Sequence, residues 1–280
     1  MLSQDNSSQQ QRGEAFRALH QRDGLFILPN PWDAGSAKML AHLGFEALAT
    51  TSAGLAFALG RRDAEGAVNR EDALANARQI VEATSLPVAA DLENGYGDAP
   101  DDCEETIRLA AACGLVGGSI EDATGRPDRP IYPLELAVER VSAAVRAARA
   151  LPFTFTLAAR AENFLHGRVD LDDTIRRLVA FAEAGADVLY APGLKTREEI
   201  AAVVSAVAPR PVNVLVGSPA LQLNLDELAE LGVKRVSVGS TLARAAYGAF
   251  FSASEALAKG DLQPMHGAMP FDRINGLFRG

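Results

Sequence analysis

The acidic residues Asp91, Glu93, Glu121 and Asp122 fall at or just beyond the ends of two short apolar runs, 87–91 and 115–122. Carboxylates brought together from neighbouring strands repel one another, and a bound divalent cation is the usual remedy. An all-oxygen donor set with no His or Cys close by favours Mg2+, or Mn2+, over Zn2+. The competing reading is a buried ion network in which Asp91 and Glu93 pair with Arg160 and other arginines. The stretch Asp91-Leu92-Glu93-Asn94-Gly95-Tyr96-Gly97 adds weight to the metal. Strand alternation would put Asp91 and Glu93 on one side, and Gly-x-Gly lets the backbone bend closely round a ligand.

Arg160 closes another apolar run, 153–160. Its planar fork can hold a substrate carboxylate through two parallel hydrogen bonds, and the alternative is an ion pair with Glu121 or Glu162. Thr51, Ser52 and Ala53, followed by Gly54, offer a turn with several free backbone N–H groups, suited to a carboxylate or an enolate oxygen. Tyr190 and Asn213 end two further runs, 187–191 and 211–216. Tyr190 and Glu162 are the candidates for acid–base work. The lysines (Lys38, Lys195, Lys234, Lys259) and the histidines (His20, His42, His166, His266) all miss the strand ends. That argues against a Schiff-base aldolase and leaves metal-assisted stabilisation of an enolate as the simplest chemistry.

Such residues need a scaffold that gathers strand ends on one rim. Four helix-period stretches stop at Gly44, Gly114, Gly185 and Gly232, each followed by a short buried run: 45–51, 115–122, 187–191 and 233–239. Runs 25–28, 87–91, 153–160 and 211–216 fit between them, with helical segments over 70–84, 134–150, 172–184 and 196–207. Strands alternating with helices imply parallel pairing, and eight units predict a (β/α)8 TIM barrel of the α/β class, whose chemistry lies at the C-terminal strand ends. A chain of 280 residues suits one such domain, expected over 13–280, with extra C-terminal helices from about 250. The polar, Gln/Ser-rich residues 1–12 are expected to be a disordered tail. The apolar segment 271–278 is expected to dock on a neighbouring subunit, giving a homo-oligomer, dimer or tetramer.

The net charge of −9 argues against nucleic-acid or anionic-membrane partners, which need basic surfaces. An acidic protein handling an anionic substrate must concentrate positive charge locally, as a cation and a few arginines would. Cys103 and Cys113 lie ten apart in one helical stretch, too far along it to bridge, so they read as reduced thiols. With no signal-like apolar region at the start of the chain, a cytoplasmic protein is expected.

Taken in order, Asn30-Pro31-Trp32-Asp33-Ala34-Gly35-Ser36-Ala37, Thr50-Thr51-Ser52-Ala53-Gly54, Asp91 to Gly97, Ser119-Ile120-Glu121-Asp122 and Ala159-Arg160-Ala161-Glu162 resemble the isocitrate lyase/phosphoenolpyruvate mutase superfamily. The resemblance runs from about residue 14 to 250. It implies an α/β barrel, often tetrameric, with the last helix exchanged between subunits. It also implies Mg2+ near Asp91, Glu93 and Glu121, often through waters. A small α-oxo acid would lie against Thr51-Ser52-Ala53 with its carboxylate on Arg160. Asp63, after Leu59-Gly60, falls where the family has a gate aspartate. Asn213 falls where lyase members place polar groups on the distal carboxylate.

The departures bear on the reaction. The Lys-Cys-Gly-His loop of lyase members is replaced by Asp122-Ala123-Thr124-Gly125-Arg126-Pro127-Asp128-Arg129-Pro130, and the phosphonomutase loop is missing too. Tyr190-Ala191-Pro192-Gly193 lacks the histidine used there. The leading expectation is therefore Mg2+-dependent enolate chemistry on a small α-oxo or 2-hydroxy acid, breaking a C–C bond as a lyase or decarboxylase. The alternatives are a phosphonopyruvate-type C–P mutase or hydrolase, and an α-oxo acid binding protein with little catalysis.

Overall fold

A computed structural model describes residues 2–278, with side chains from residue 8 onward. The chain opens with α1 (Leu2–Gln21), β1 (Phe26–Leu28), α2 (Ala34–His42), β2 (Leu48–Ala49), α3 (Ser52–Ala58) and α4 (Arg70–Glu82). The middle carries β3 (Val88–Asp91), α5 (Pro100–Ala112), β4 (Gly117–Glu121), α6 (Leu134–Arg149), β5 (Thr156–Arg160) and α7 (Leu171–Glu183). The chain continues through β6 (Val188–Tyr190), α8 (Arg197–Val207), β7 (Val212–Leu215), α9 (Leu225–Glu230), β8 (Arg235–Ser237), α10 (Thr241–Ala258) and α11 (Phe271–Leu277).

All pairings are parallel, in the order β1-β8-β7-β6-β5-β4-β3-β2. The seam between β1 and β2 is drawn together by Ala49 N–H donating to Pro29 O at 3.1 Å and by the Asn30 amide donating to Thr50 O at 3.0 Å. Asn30 Oδ1 also accepts from Val238 and Gly239 N–H, so this rim residue ties β1 to the end of β8. The result is the expected barrel, nearly closed. The four glycine stops have φ between 83° and 102°, the left-handed geometry that ends a helix and that glycine adopts without strain. Two layers of buried aliphatic side chains between strands and helices form the main core.

The barrel floor is closed by α1. Phe16 and Leu19 pack with Phe26, Leu28, Ala47, Ala89 and Val116. Gly117 is needed for this approach, because a Cβ there would stand 2.8 Å from the Phe16 ring. The tail expected over 1–12 is therefore corrected where its side chains are described. Gln9 is buried and donates its amide to Ala111 O at 2.9 Å and Leu115 O at 3.0 Å, so tertiary partners order a segment whose composition reads as disordered. Cys103 and Cys113 are free and buried. Among the described residues no helix is long and apolar enough to cross a membrane. At the other end, α10 passes through position 250 and stops at Gly260, and Phe250, Phe251 and Phe271 stand exposed.

Candidate active site

Arg160, the last residue of β5, stands at the centre of the rim. Its Nη1 lies 2.9 Å from Asp91 Oδ1, its Nη2 3.1 Å from Glu121 Oε2 and its Nε 2.8 Å from Glu162 Oε1. The register explains the convergence, since Glu121 pairs with Arg160 and Arg160 with Tyr190 across adjacent strands. Burial works against the charged guanidinium, but Glu121, Glu162 and Asp91 outweigh it and hold its pKa above the ordinary value. The Tyr190 ring lies under it, 5.1 Å from Cζ. Burial pushes the Tyr190 phenol up to about 12, against the pull of Arg160, so it is a protonated group at neutral pH.

Asp91, ending β3, is gripped from the other side. Ser52 Oγ donates to Asp91 Oδ2 at 2.9 Å, and the Asp91 N–H donates to Thr50 Oγ1 at 3.0 Å. Thr51 is the N-cap of α3, so the N–H groups of Ser52 and Ala53 have no intrahelical acceptor, and that of Ser52 donates to Asp91 Oδ2 at 3.4 Å. Thr51, Ser52, Ala53, Asp63, Asp91, Arg160, Tyr190 and Asn213 all line one cavity of about 230 Å³, so the residues expected to meet substrate do come together. Asn213 donates its amide to Ser237 Oγ at 2.9 Å and accepts from Arg235 Nε at 2.8 Å.

The expected metal residues divide differently. Glu93 and Glu121 line a neighbouring cavity of about 890 Å³, with Asn94, Tyr96, Arg126 and His166. The alternation argument for Glu93 is corrected, because β3 ends at Asp91 and the backbone turns left-handed at Glu93, with φ 46°. Among the described residues no three His, Cys, Asp or Glu side chains are placed to ligate one ion together. Asp122 also leaves the cluster: it accepts from Glu162 N–H at 2.8 Å and pairs with Arg177 at 3.0 Å, as a structural link between β4 and α7.

The carboxylates still outnumber the cations. Burial, then Asp91 and Asp63, push Glu93 up to about 8; burial, then Asp91, raise Asp63; burial raises Glu121 well above the usual range. The buried Tyr96 hydroxyl beside Glu93, Asp91 and Glu121 has no hydrogen-bond partner among the described residues. This donor set fits an ion bound as Mg2+ commonly is, through one or two carboxylates with water completing the shell. It does not fit a cage of three direct protein ligands.

The loop that departs from the lyase pattern is folded back on itself and tied down. Ala123 bridges Ile131, Thr124 N–H donates to Pro130 O at 2.9 Å, and Arg126 pairs with Asp98 at 2.7 Å. Tyr132 donates to the other Asp98 oxygen at 2.6 Å. Arg140 donates from beneath to Gly97 O at 2.8 Å and to Asn94 O, fixing the Asn94–Gly97 turn. Reading the strand ends alone missed Arg140, Asp98 and Arg235. The signal available for Arg235 was a charged residue opening an otherwise apolar strand.

The family model described as phosphoenolpyruvate phosphomutase matches residues 16–258. The chain is similar to a candidate lyase/mutase of Burkholderia cenocepacia J2315, with 59% identity, a TM-score of 0.94 and 98% of both chains covered. It is 30% identical over 265 residues to the oxaloacetate decarboxylase of Ectopseudomonas mendocina (strain ymp), covering 92% of this chain and 86% of that one. Oxaloacetate acetylhydrolase, solved with its product oxalate, superposes with a TM-score of 0.85 at 26% identity, over 95% of this chain and 94% of that one.

Proposed function

The chain belongs to the phosphoenolpyruvate phosphomutase family of the isocitrate lyase/phosphoenolpyruvate mutase superfamily, and from that premise we propose that it is a Mg2+-dependent lyase or decarboxylase that breaks a C–C bond in a short α-oxo or 2-hydroxy acid. The observation that carries this reading is the surplus of carboxylates (Asp63, Asp91, Glu93, Glu121 and Glu162) around the single guanidinium of Arg160. Without a cation such a rim takes up protons, as at Glu93 and Glu121, and a divalent cation would let these carboxylates ionise and offset their repulsion of an anionic substrate.

Asp91 is the best-placed ligand for that cation, with Glu93 and Glu121 reaching it through water; Mn2+ suits the same donors. The ion would polarise the 2-oxo and carboxylate oxygens of the substrate. Arg160 would hold the substrate carboxylate: Nε stays on Glu162 and sets the plane of the fork, while Nη1 and Nη2 would exchange Asp91 and Glu121 for the substrate. The N–H groups of Ser52 and Ala53 take the oxygen on which enolate charge develops. Cleavage leaves the bonding pair on the enolate carbon, and the Tyr190 phenol, protonated at neutral pH and lining the same cavity, would return a proton there. Asp63, which lines the same cavity, would take the gate role that the family resemblance gives it.

The loop supports C–C over C–P chemistry. Arg126 is engaged by Asp98 and Arg129 faces Asp128, which leaves few cations for a phosphonate. The exposed phenylalanines of α10 and α11 support a homo-oligomer of this chain, and the net charge of −9 argues against a nucleic-acid partner. A cytoplasmic setting suits the free cysteines.

Isothermal titration of the purified protein with oxaloacetate, pyruvate and phosphonopyruvate, in Mg2+ and again in EDTA, tests the reading while pyruvate release is followed. Mg2+-dependent heat with pyruvate formed from oxaloacetate is expected. Tight binding without turnover would favour an oxo-acid binding protein, and no heat with any oxo acid would remove the assignment.

A further inference from the structure

The cavity at the rim continues below it between small side chains, Ala49, Ala89 and Ala158, at positions where bulky branched side chains usually interdigitate. The cavity whose mouth holds Asp91 and Arg160 therefore extends inward to Arg235, on β8.

Arg235 is only 6% exposed. Its Nε donates to Asn213 Oδ1 at 2.8 Å, and its Nη1 lies 3.3 Å from His20 Nε2. His20 Nδ1 is 2.8 Å from Phe16 O, a pure acceptor, so Nδ1 carries the hydrogen and Nε2 is left as a lone pair for Arg235. Burial holds His20 neutral, with its pKa lowered to about 3. Both partners of this guanidinium are thus uncharged, and among the described residues no carboxylate pairs with it.

Of the other buried arginines, Arg177 meets Asp122 and Asp173, whereas Arg140, away from this cavity, is held by the backbone carbonyls of Asn94, Gly97 and Ala99 with its Nε unpaired. A guanidinium has five N–H donors, and Arg235 has engaged two of them. A buried charge without a counter-charge is strongly unfavourable and is retained where something else supplies the opposite sign. The cavity is consequently polarised, with surplus carboxylates at its mouth and an unanswered cation at depth.

We propose that Arg235 binds the second carboxylate of a short dicarboxylic substrate inside the barrel, with Asn213 and Ser237 orienting it. The inference rests on the oxo-acid reading and narrows its substrate class to α-oxo or 2-hydroxy diacids. The mouth would repel a second carboxylate, whereas the floor attracts one. The head of the substrate stays at Arg160 and the Ser52–Ala53 amides, and its far end points inward.

The test is titration of wild type, Arg235→Met and Arg235→Lys with three probes in Mg2+ buffer: pyruvate, 3,3-difluorooxaloacetate and succinate. Arg235→Met is expected to weaken difluorooxaloacetate at least tenfold and pyruvate less than twofold, with Arg235→Lys recovering part of the loss. Equal losses for the two oxo acids, or no loss for either, overturn the proposal. If Arg235→Met does not fold, Arg235→Lys decides alone: a selective loss for the diacid supports the site and a uniform one overturns it. Should wild type bind neither oxo acid, the functional reading falls by itself. Succinate then separates the two ideas, because Arg235-dependent succinate binding keeps the buried carboxylate site and its absence removes that as well.

Discussion

Arg160 and Arg235 both stand on the inner wall of one barrel, the first partly and the second fully buried, yet the protein treats them oppositely. Three carboxylates surround Arg160, at 2.8 to 3.1 Å, and more lie just beyond. Arg235 receives an amide oxygen and a neutral imidazole. The first arginine is therefore part of a network that holds itself together, and the second is a charge awaiting its complement. Local architecture accounts for the difference. Arg160 ends its strand where β3 and β4 also end in acids, whereas Arg235 begins β8, level with the apolar floor built by α1.

Breaking the upper arginine has the largest expected effect. Arg160→Met leaves its buried acids unpaired and should lower kcat/KM by roughly 100-fold or more while costing about 3–5 kcal/mol of stability in urea unfolding. Arg235→Met should show no comparable loss of stability, because replacing an uncompensated buried charge by a packed apolar side chain is commonly neutral or stabilising. If the two variants unfold at the same midpoint, the contrast between them is wrong.

Asp91→Ala comes next. It should abolish Mg2+-dependent heat on oxo-acid binding, and retained metal dependence would move the ion to Glu93 or Glu121. A smaller effect tests the neutral partner of Arg235. His20 has a folded pKa of about 3 against an ordinary 6.5, so its neutral form is favoured by folding. That contribution is fully present above about pH 6.5 and is lost as pH falls from there towards 3. At pH 5 the penalty is on the order of 2 kcal/mol, and His20→Gln should lose less stability than wild type between pH 7.5 and pH 5. Parallel pH slopes for the two proteins would mean that His20 is not held neutral. The smallest change is expected from Arg126→Ala with Arg129→Ala, where turnover of a C–C substrate should stay within about twofold, since Arg126 is tied to Asp98 at the edge of the site. A large drop would make the loop a third anion-binding region and revive the phosphonate reading.

Much of the architecture was legible from local chemistry. Glycine after a helical period, then a short apolar run, located the strands, and the rim rule then picked out Thr51, Ser52, Asp91, Glu121, Arg160, Tyr190 and Asn213. Glu93 was picked for a reason that did not hold, since period-two alternation stops where the chain leaves the strand. Residues 8–12 were misread because a polar helix can be ordered by two distant carbonyls that composition does not reveal.

The sequence by itself determined the barrel, the acid-rich rim and the arginine at its centre, because periodicity, glycine stops and residue type act over a few neighbouring positions. Only the tertiary structure decided which charges meet. Whether Asp122 joins the site or pairs with Arg177, and whether Arg235 finds an acid or only His20 and Asn213, depends on partners from 22 to 215 residues apart. Electrostatic balance inside a protein is set by such through-space distances and by burial, and neither is written in the spacing along the chain.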